Sequence, residues 1–250
     1  MNQPLTIGIL LTDHVLPDLL DEHGDQTDFY LNIFHLADPT IILKFYDVVL
    51  GEYPKDVKEC HGYLITGSKL SVYDDEDWIR ILEDYIKELD DQKYSLLGIC
   101  FGHQLIAKSL GGEAVKADDG WTVGIQNYSF HSRYPWVKDQ SVNVSLIHSH
   151  QDQVTQLPKK AELIASTTNV PIAMFRIGSH IMSMQGHPEF TSNYAQAVLD
   201  KRMGMLDKNL YETASCSLKN NQANDVEVAK WWVKFFNSNY SDLQSSGGKP

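Results

Sequence analysis

The chain has 250 residues, of which 42% are hydrophobic and 22% are charged, a composition typical of a globular protein. Its 33 acidic and 21 basic side chains leave a net charge of −12, which argues against a nucleic-acid backbone or an anionic membrane surface as partner. The N-terminus has no basic n-region and no apolar run approaches 18 residues, so we expect neither a signal peptide nor a membrane span. Three cysteines do not make a disulfide framework, and we expect a reducing, cytoplasmic setting.

The first half of the chain alternates predicted strands with predicted helices. Short apolar or β-branched runs predict strands at 5–11, 41–50, 62–66 and 94–100. Apolar residues at helical spacing predict helices at 25–36, 78–89 and 101–110. This alternation is typical of a parallel sheet with helices on both faces, a flavodoxin-like α/β arrangement. In such sheets ligands bind at the carboxyl ends of the strands.

The pattern changes after Gly120. Short strands are predicted at 122–130, 142–148, 162–166, 172–176 and 180–184, and helices at 191–206 and 227–236. Residues 207–225 are polar and are predicted to be irregular. Because few helices separate these strands, we interpret them as antiparallel additions to the same core. The prediction is one domain over residues 1–240, followed by a disordered Ser/Gly-rich tail at residues 241–250.

One cysteine lies where a predicted strand runs directly into a predicted helix. Cys100 ends the strand at 94–100 and precedes Phe101-Gly102-His103-Gln104. This is the arrangement of a nucleophile elbow, in which the positive end of the helix favours a thiolate. The backbone N–H of Phe101 would then be free to stabilise an oxyanion. This segment alone leaves a buried structural cysteine as an equal alternative.

A histidine and a glutamate two residues apart are a candidate base and its orienting carboxylate. Pro188 biases His187 towards an extended backbone, and in an extended segment residues i and i+2 point to the same side. His187 and Glu189 are therefore expected to converge on one site. Taken alone, the segment is equally consistent with a turn that carries a solvated glutamate.

Together these segments resemble the class I glutamine amidotransferases. Gly98-Ile99-Cys100-Phe101-Gly102-His103-Gln104 and Gly186-His187-Pro188-Glu189 are similar to the signature pair of that family, and they are separated by 87 residues (187 − 100). Ile65-Thr66-Gly67-Ser68 occupies the place of the family's glycine turn. The segment Ser149-His150-Gln151-Asp152-Gln153-Val154 resembles a loop of the GMP-synthetase-type members. The resemblance spans roughly residues 5–205.

The resemblance implies a role for individual residues. Cys100 would be the nucleophile, His187 the general base and acid, and Glu189 its orienting carboxylate; Gly67 and Phe101 would form the oxyanion hole. The residues implied to bind the substrate are Gln104, Ser149, His150, Gln151 and Asp152. The resemblance implies no metal and no cofactor. The implied partners are glutamine or a γ-glutamyl compound and, if ammonia is transferred, a separate synthetase chain.

The glycine turn departs from the usual family pattern. Many members have Gly-Gly-Pro or Gly-Pro-Gly here, whereas this chain has Thr66-Gly67-Ser68-Lys69. This version looks more like the stand-alone, γ-glutamyl-peptidase-like branch. We therefore expect a cysteine hydrolase that cleaves the γ-amide of glutamine or of a γ-glutamyl compound through a glutamyl thioester.

Three alternatives remain open at this stage. The chain could be a γ-glutamyl peptidase without ammonia transfer, or a catalytically silent protein with a regulatory or scaffold role. The chaperone or intracellular-protease type of cysteine hydrolase is disfavoured, because those relatives usually place histidine directly after the nucleophile, where this chain has Phe101. His148, His150 and Asp152 alternate along the chain, but their spacing fits no zinc motif, and we predict no metal site there.

Overall fold

A nine-stranded mixed sheet lies at the centre of the molecule. The computed structural model describes residues 4–131 and 144–246, with side chains described as far as residue 239. Within these residues the strands are β1 (Thr6–Leu11), β2 (Ile42–Asp47), β3 (Gly62–Ile65), β4 (Ser95–Ile99), β5 (Glu113–Lys116), β6 (Thr122–Phe130), β7 (Val144–His150), β8 (Asp152–Gln156), β9 (Ala161–Ser166), β10 (Met174–Ile177) and β11 (Ile181–Met184). The helices are α1 (Leu20–His23), α2 (Gln26–Ala37), α3 (Asp77–Asp91), α4 (Phe101–Ser109), α5 (Ser192–Lys201), α6 (Lys208–Asn220) and α7 (Asp225–Ser246).

The strand order divides the sheet into a parallel and an antiparallel half. Neighbouring strands follow the order β2-β1-β3-β4-β11-β10-β9-β6-β7, and β5 pairs with β8 in a separate ribbon. The first five strands are parallel to one another, and the pairs from β11 to β7 are antiparallel. The order 2-1-3-4 is that of a flavodoxin-like sheet. The predicted fold class, a mainly parallel centre with antiparallel additions, is confirmed.

Strand β11 corrects one part of that prediction. It was expected among the antiparallel additions, but it pairs in parallel with β4, with Met184 opposite Ile99. All four of its residues are buried, as is typical of a central strand. Its direction could not be inferred from the local pattern, because a buried apolar run is the same in either orientation. The pairing brings the carboxyl ends of β4 and β11 side by side, and Cys100 N donates to Met184 O at 2.9 Å.

Helices cover both faces of the sheet. On one face α2 and α7 pack together, with the Phe34 and Trp232 rings 5.7 Å apart between centroids. On the other face α3 and α4 bury a second core cluster, in which the rings of Trp78 and Phe101 lie 5.5 Å apart. Because α4 is buried almost throughout, the residue at its N-terminus is held against the edge of the sheet.

The prediction of irregular structure over residues 207–225 is wrong for most of the segment. Helix α6 occupies Lys208–Asn220, and the Asp207 side chain caps it by accepting from Asn209 N at 2.9 Å. Ala214 and Leu218 pack with residues of β6 and β7 in a small third cluster. The polar composition concealed a narrow apolar stripe. The helix is stabilised by the tertiary packing of that stripe rather than by helix propensity.

Two further differences concern segments with little apolar character. Strand β8, within the segment treated as a loop, pairs with β5, which was not predicted. Helix α7 continues to Ser246 and so overlaps the segment 241–250 predicted to be disordered. No glycine or proline interrupts the chain before Gly247, so a helix anchored by buried residues can propagate that far. Residues 247–250 of that predicted tail, and residues 142 and 143 of the predicted strand before His148, lie outside the described residues.

No helix in the described part of the chain is both long enough and apolar enough to cross a bilayer.

Candidate active site

Cys100 lies on a strained turn between β4 and α4. Its backbone has φ 50° and ψ −102°, a conformation rarely adopted by a residue other than glycine, and it is the residue immediately before the helix. The turn is possible because Gly102 has no side chain: a Cβ there would lie 2.5 Å from the Ile65 carbonyl oxygen. The sulfur is thus held at the N-terminus of α4, which is the positive end of the helix dipole.

His187 and Glu189 form a buried pair beside this sulfur. Nδ1 of His187 lies 2.7 Å from Oε1 of Glu189, and the two side chains are 4% and 3% exposed. The His187 backbone N–H donates to Ile147 O at 2.8 Å, and the imidazole stacks on Phe190 with 4.0 Å between ring centroids. The Cys100 side chain lies close enough to the imidazole to raise the pKa of His187, and Cys100, His187 and Glu189 line the same cavity. The three side chains predicted to converge therefore lie together.

The surroundings of His187 favour its charged form. Burial alone lowers the pKa of His187, but the negative charges of Glu189 and of Cys100, together with hydrogen bonds to both, raise that pKa well above its ordinary value. An imidazolium between two anionic partners can hold a thiolate nearby and can donate a proton to a leaving group. This is the protonation state that attack by a thiolate requires.

The glycine turn after β3 is fixed by a buried threonine. The Thr12 hydroxyl lies 3.1 Å from Thr66 O and 3.0 Å from Gly67 O, and Gln26 Nε2 donates to Gly67 O at 3.3 Å. Since N–H and C=O point in opposite directions across a trans peptide, the N–H groups of Gly67 and Ser68 face away from Thr12. Neither amide donates to another described residue. Both amides are thus free to bind a developing negative charge.

The remaining oxyanion candidate is the Phe101 N–H. It belongs to the first turn of α4, whose amides have no partner within the helix. Phe101 is buried, and its backbone directly follows the sulfur-bearing residue. Gly67 also lies close to Cys100, because a Cβ built on it would be 3.6 Å from Cys100 Cβ and 2.9 Å from His187 Cε1. The structure therefore places both predicted oxyanion donors around Cys100.

Two cavities meet at Cys100. The larger, about 290 Å³, contains His187 and Glu189 in its wall and opens past Phe190, Tyr194 and Met205. The smaller has a volume of about 170 Å³. All five residues implied to bind the substrate line the smaller cavity: Gln104, Ser149, His150, Gln151 and Asp152. The walls of both cavities share Ser68, Lys69, Cys100, Ser149 and Arg202.

Several of those five side chains are already occupied by contacts with the protein. The Asp152 carboxylate accepts from Ser71 Oγ at 2.5 Å and from the Tyr73 hydroxyl at 3.0 Å. Gln104 Nε2 donates to Asp152 O at 2.8 Å and to Gln185 Oε1 at 3.0 Å. The smaller cavity therefore has a wall that is held in place by its own hydrogen bonds.

Arg202 is a cation that the sequence reasoning missed. It donates to Ser149 O and to Ser149 Oγ, and its guanidinium carbon lies 4.6 Å above the Trp121 ring. The other cations of these walls, Lys69 and Lys201, are each paired with an aspartate. Within residues 4–131 and 144–239, no carboxylate forms an ion pair with Arg202. Arg202 therefore lines both cavities, and its positive charge is available to bind an anionic group.

The missed residues carried weak signals in the sequence. Arg202 is one of two adjacent basic residues at the end of a predicted helix, which is a common place for a solvated charge. Thr12 follows the first strand at its carboxyl end, where ligand sites of parallel sheets lie, and that position was its only indication. Phe190 directly follows Glu189 and could have been expected near the base for that reason alone.

Three histidines near the site are buried in an uncharged form. Burial lowers the pKa of His103 and of His150 to about 3, and it lowers the pKa of His148 well below the ordinary value. His103 bonds Ser183 Oγ at 2.9 Å and Ile172 O at 3.1 Å, so it is a packed helix residue. In the described part of the chain, no group of three or more His, Cys, Asp or Glu residues has an arrangement that could hold a metal ion.

These histidines are expected to make stability strongly dependent on pH. Their pKa is near 6.5 in the unfolded chain and far lower in the fold, so the unfolded state binds protons first as the pH falls. The stability that these neutral histidines contribute is therefore complete above about pH 6.5 and is lost as the pH falls towards 3. The three histidines together should therefore lower the free energy of unfolding between pH 7.5 and 5.5, and the raised pKa of His187 offsets part of that loss, so we expect a net drop on the order of a few kcal/mol.

Urea unfolding at the two pH values measures this change. A matched variant, His103→Gln, should show a clearly smaller pH dependence than the parent, because one of the three buried neutral rings is removed. A difference below about 1 kcal/mol between the two pH values in the parent would contradict neutral burial of the three rings.

Comparison with known proteins agrees with the geometry. The sequence model of the class I glutamine amidotransferase family matches residues 27–203. Gamma-glutamyl peptidase 4 of Arabidopsis thaliana is 32% identical over 230 residues, covering 88% of this chain and 84% of the relative. One chain of the glutamine-hydrolyzing GMP synthase of Sulfolobus acidocaldarius is 32% identical over 136 residues, covering 54% of this chain and 70% of the relative.

A solved structure shares the same fold. The crystal structure of a glutamine amidotransferase from Thermotoga maritima superposes with a TM-score of 0.72, covering 96% of this chain and 99% of its own, at 17% sequence identity. The family match spans most of the chain, and it includes both the cysteine turn and the histidine–glutamate pair. The protein therefore belongs to the class I glutamine amidotransferases.

Proposed function

We propose that this protein is a γ-glutamyl peptidase, which hydrolyses the γ-amide bond between a glutamyl group and an amine-bearing leaving group. The observation that carries the proposal is the meeting of two cavities at Cys100. The smaller cavity has the size and polarity for a γ-glutamyl group. The larger contains the His187 ring, and a cavity of about 290 Å³ on that side would be superfluous if the leaving group were only ammonia.

In the proposed reaction the Cys100 thiolate attacks the δ-carbonyl carbon and forms a C–S bond. The carbonyl oxygen becomes an oxyanion that accepts hydrogen bonds from the backbone N–H groups of Phe101 and of the turn at Gly67. His187, protonated and held by Glu189, donates its proton to the amide nitrogen as the C–N bond breaks. The amine leaves through the larger cavity and a glutamyl thioester remains.

Hydrolysis of the thioester completes the cycle. The departure of the amine leaves His187 neutral, and it then takes a proton from a water molecule that enters from the larger cavity. The resulting hydroxide attacks the thioester carbon, the C–S bond breaks and glutamate is released. The Cys100 thiolate and the His187 imidazolium are regenerated, so that no other reactant is needed.

The relatives support this proposal but also supply the alternative. The names of several similar proteins describe gamma-glutamyl peptidases, and that of another describes part of a GMP synthase. An ammonia-transferring function would require a separate synthetase chain as partner. The two functions differ in one respect that is easily measured, which is whether the isolated chain is active on peptides.

The test is a substrate panel read by mass spectrometry. Purified protein is incubated with glutamine and with γ-glutamyl dipeptides and tripeptides, and glutamate release is measured. We expect peptides to be cleaved at least tenfold more efficiently than glutamine, without any partner. Glutamine hydrolysis that appears only on adding a synthetase would favour ammonia transfer, and no modification of Cys100 by a glutamine-analogue electrophile would favour a catalytically silent protein.

Arg202 is expected to bind a carboxylate of the γ-glutamyl substrate. Arg202→Met keeps much of the apolar length of the side chain and removes the charge. Loss of one charge-assisted interaction of about 1.5–3 kcal/mol should lower kcat/KM by about 10- to 100-fold, chiefly through KM. Arg176→Met, which removes an arginine that is paired with Glu162 and lines neither cavity, is the matched control and should change kcat/KM by less than threefold. Equal effects of the two substitutions would contradict the assignment.

A further inference from the structure

A chain of hydrogen bonds runs from the backbone of Gly186, the residue before His187, to the backbone of Asp152. Gly186 N lies 3.1 Å from the Tyr128 hydroxyl, which lies 2.9 Å from Nε2 of His148. Nδ1 of His148 lies 2.9 Å from Nε2 of His150, and Nδ1 of His150 lies 2.8 Å from Asp152 O. The two histidines and the tyrosine are buried. Three side chains thus connect the backbone N–H of Gly186 with the backbone carbonyl of Asp152.

The two ends determine where each proton lies. Asp152 O can only accept, so His150 carries its proton on Nδ1 and accepts at Nε2. His148 must then donate from Nδ1 and accept at Nε2 from the Tyr128 hydroxyl, whose oxygen accepts from the Gly186 N–H. Every donor and acceptor in the chain is used, and only one arrangement of neutral rings satisfies them all. The lowered pKa values of both histidines agree with this uncharged state.

Gln104 closes the chain into a ring. Its Nε2 donates both to Asp152 O and to Oε1 of Gln185, the residue before Gly186. Gln104 lies one turn after Cys100 on α4, and its backbone N donates to Cys100 O at 3.0 Å. The ring therefore connects the helix that carries the sulfur with the segment that carries the imidazole.

Close packing restricts movement of the backbone at Gly186 and His187. A Cβ on Gly186 would lie 2.7 Å from the Tyr128 hydroxyl and 3.0 Å from Nε2 of His148. His187 itself is tied to β7 through Ile147 O, the residue before His148. A change in the hydrogen-bonded chain would therefore be transmitted directly to the backbone of the base.

We propose that Tyr128, His148 and His150 are positioning residues, which hold His187 at its working distance from Cys100 through this one-way chain of hydrogen bonds and the ring that Gln104 closes. None of the three is required to touch the reacting atoms. The proposal rests on the function proposed above, in which Cys100 and His187 are the reacting pair. Because small displacements of a base can cost large factors in rate, the ring is expected to affect kcat rather than KM.

The first test replaces Tyr128 with phenylalanine. The ring of the side chain remains, but Gly186 N–H and His148 Nε2 lose their partner. We expect kcat to fall at least tenfold with KM changed less than threefold. The rate of Cys100 alkylation by iodoacetamide at pH 7 should also fall at least threefold, because a displaced imidazole no longer assists the sulfur. This second readout uses no substrate, so it stands or fails independently of the peptidase assignment.

The matched control is Tyr63→Phe. The Tyr63 hydroxyl is also part of a buried tyrosine and donates to Val57 O at 2.8 Å, but Tyr63 belongs to the other core cluster. This variant should lose stability without a change in kcat or in the rate of Cys100 alkylation. If Tyr128→Phe behaves like this control, with only its melting temperature lowered, the positioning role is overturned.

A measurement on the unaltered protein avoids any problem of folding. Nitrogen-15 NMR of histidine-labelled protein at pH 7 should show His148 and His150 both neutral and both protonated on Nδ1. Protonation on Nε2 alone, or a charged ring at either position, would break the one-way order and overturn the proposal.

Discussion

Replacement of Cys100 by serine is expected to reduce turnover of a γ-glutamyl peptide at least about 1000-fold while the fold is retained. A serine hydroxyl at the same helix N-terminus is not ionised near neutral pH, so His187 keeps Glu189 but loses its anionic partner at residue 100, and the nucleophile is lost. Only one atom changes, and the strained backbone of the turn is unaltered, so the melting temperature should move by no more than a few degrees. Steady-state glutamate release and thermal unfolding measure the two effects.

Cys216→Ser is the matched control for this prediction. Cys216 is a free cysteine exposed on α6, away from both cavities at Cys100, and its replacement should leave turnover within twofold of the parent. Substantial turnover by the Cys100→Ser protein, with a normal melting curve, would remove Cys100 from the role of nucleophile.

Replacement of His187 by alanine is expected to prevent formation of the glutamyl-enzyme. The variant loses the proton donor for the leaving amine and the positive charge that stabilises the thiolate, and Glu189 is left as a buried charge without its partner. We expect acylation to slow at least about 1000-fold. Mass spectrometry of the intact protein in the first seconds after mixing with a γ-glutamyl peptide detects the thioester.

His180→Ala separates this effect from the general cost of removing a buried histidine. His180 bonds Asp90 Oδ1 at 2.6 Å at the opposite end of β11, so its loss should lower stability and leave acylation near the parent rate. A normal burst of glutamyl-enzyme in the His187→Ala protein would exclude His187 from the first step.

Most of the architecture could be predicted because its elements have strong local patterns. Helix α3 has apolar residues on one face and charged residues on the other, and it was predicted within two residues of its bounds. Helix α6 has only a narrow apolar stripe in a polar segment, and its stability comes from contact with β6 and β7. Strands β5 and β8 depend on pairing with each other, so neither could be recognised alone.

Some residues of the candidate site could likewise be predicted from local sequence patterns, and others could not. Cys100, His187 and Glu189 could be chosen from the sequence because a strand-to-helix turn and an i, i+2 pair are local features with a chemical meaning. Arg202, Thr12 and Tyr128 could not, because each contributes through contacts with residues distant in the chain. Thr12, for example, contacts Thr66 and Gly67 only because β1 and β3 are neighbours in the sheet.

The sequence by itself determined the chemical groups of this protein and the alternating elements that carry them, since nucleophile, base and carboxylate lie in segments whose local backbone is set by neighbouring residues. Only the tertiary structure decided that β11 inserts in parallel beside β4, because pairing direction depends on strands far apart in the chain. That single pairing brings residue 187 to residue 100. The two cavities and the hydrogen-bonded ring likewise depend on the tertiary structure, because the ring's longer-range contacts span 20 to 81 residues of chain and form only once the sheet has formed.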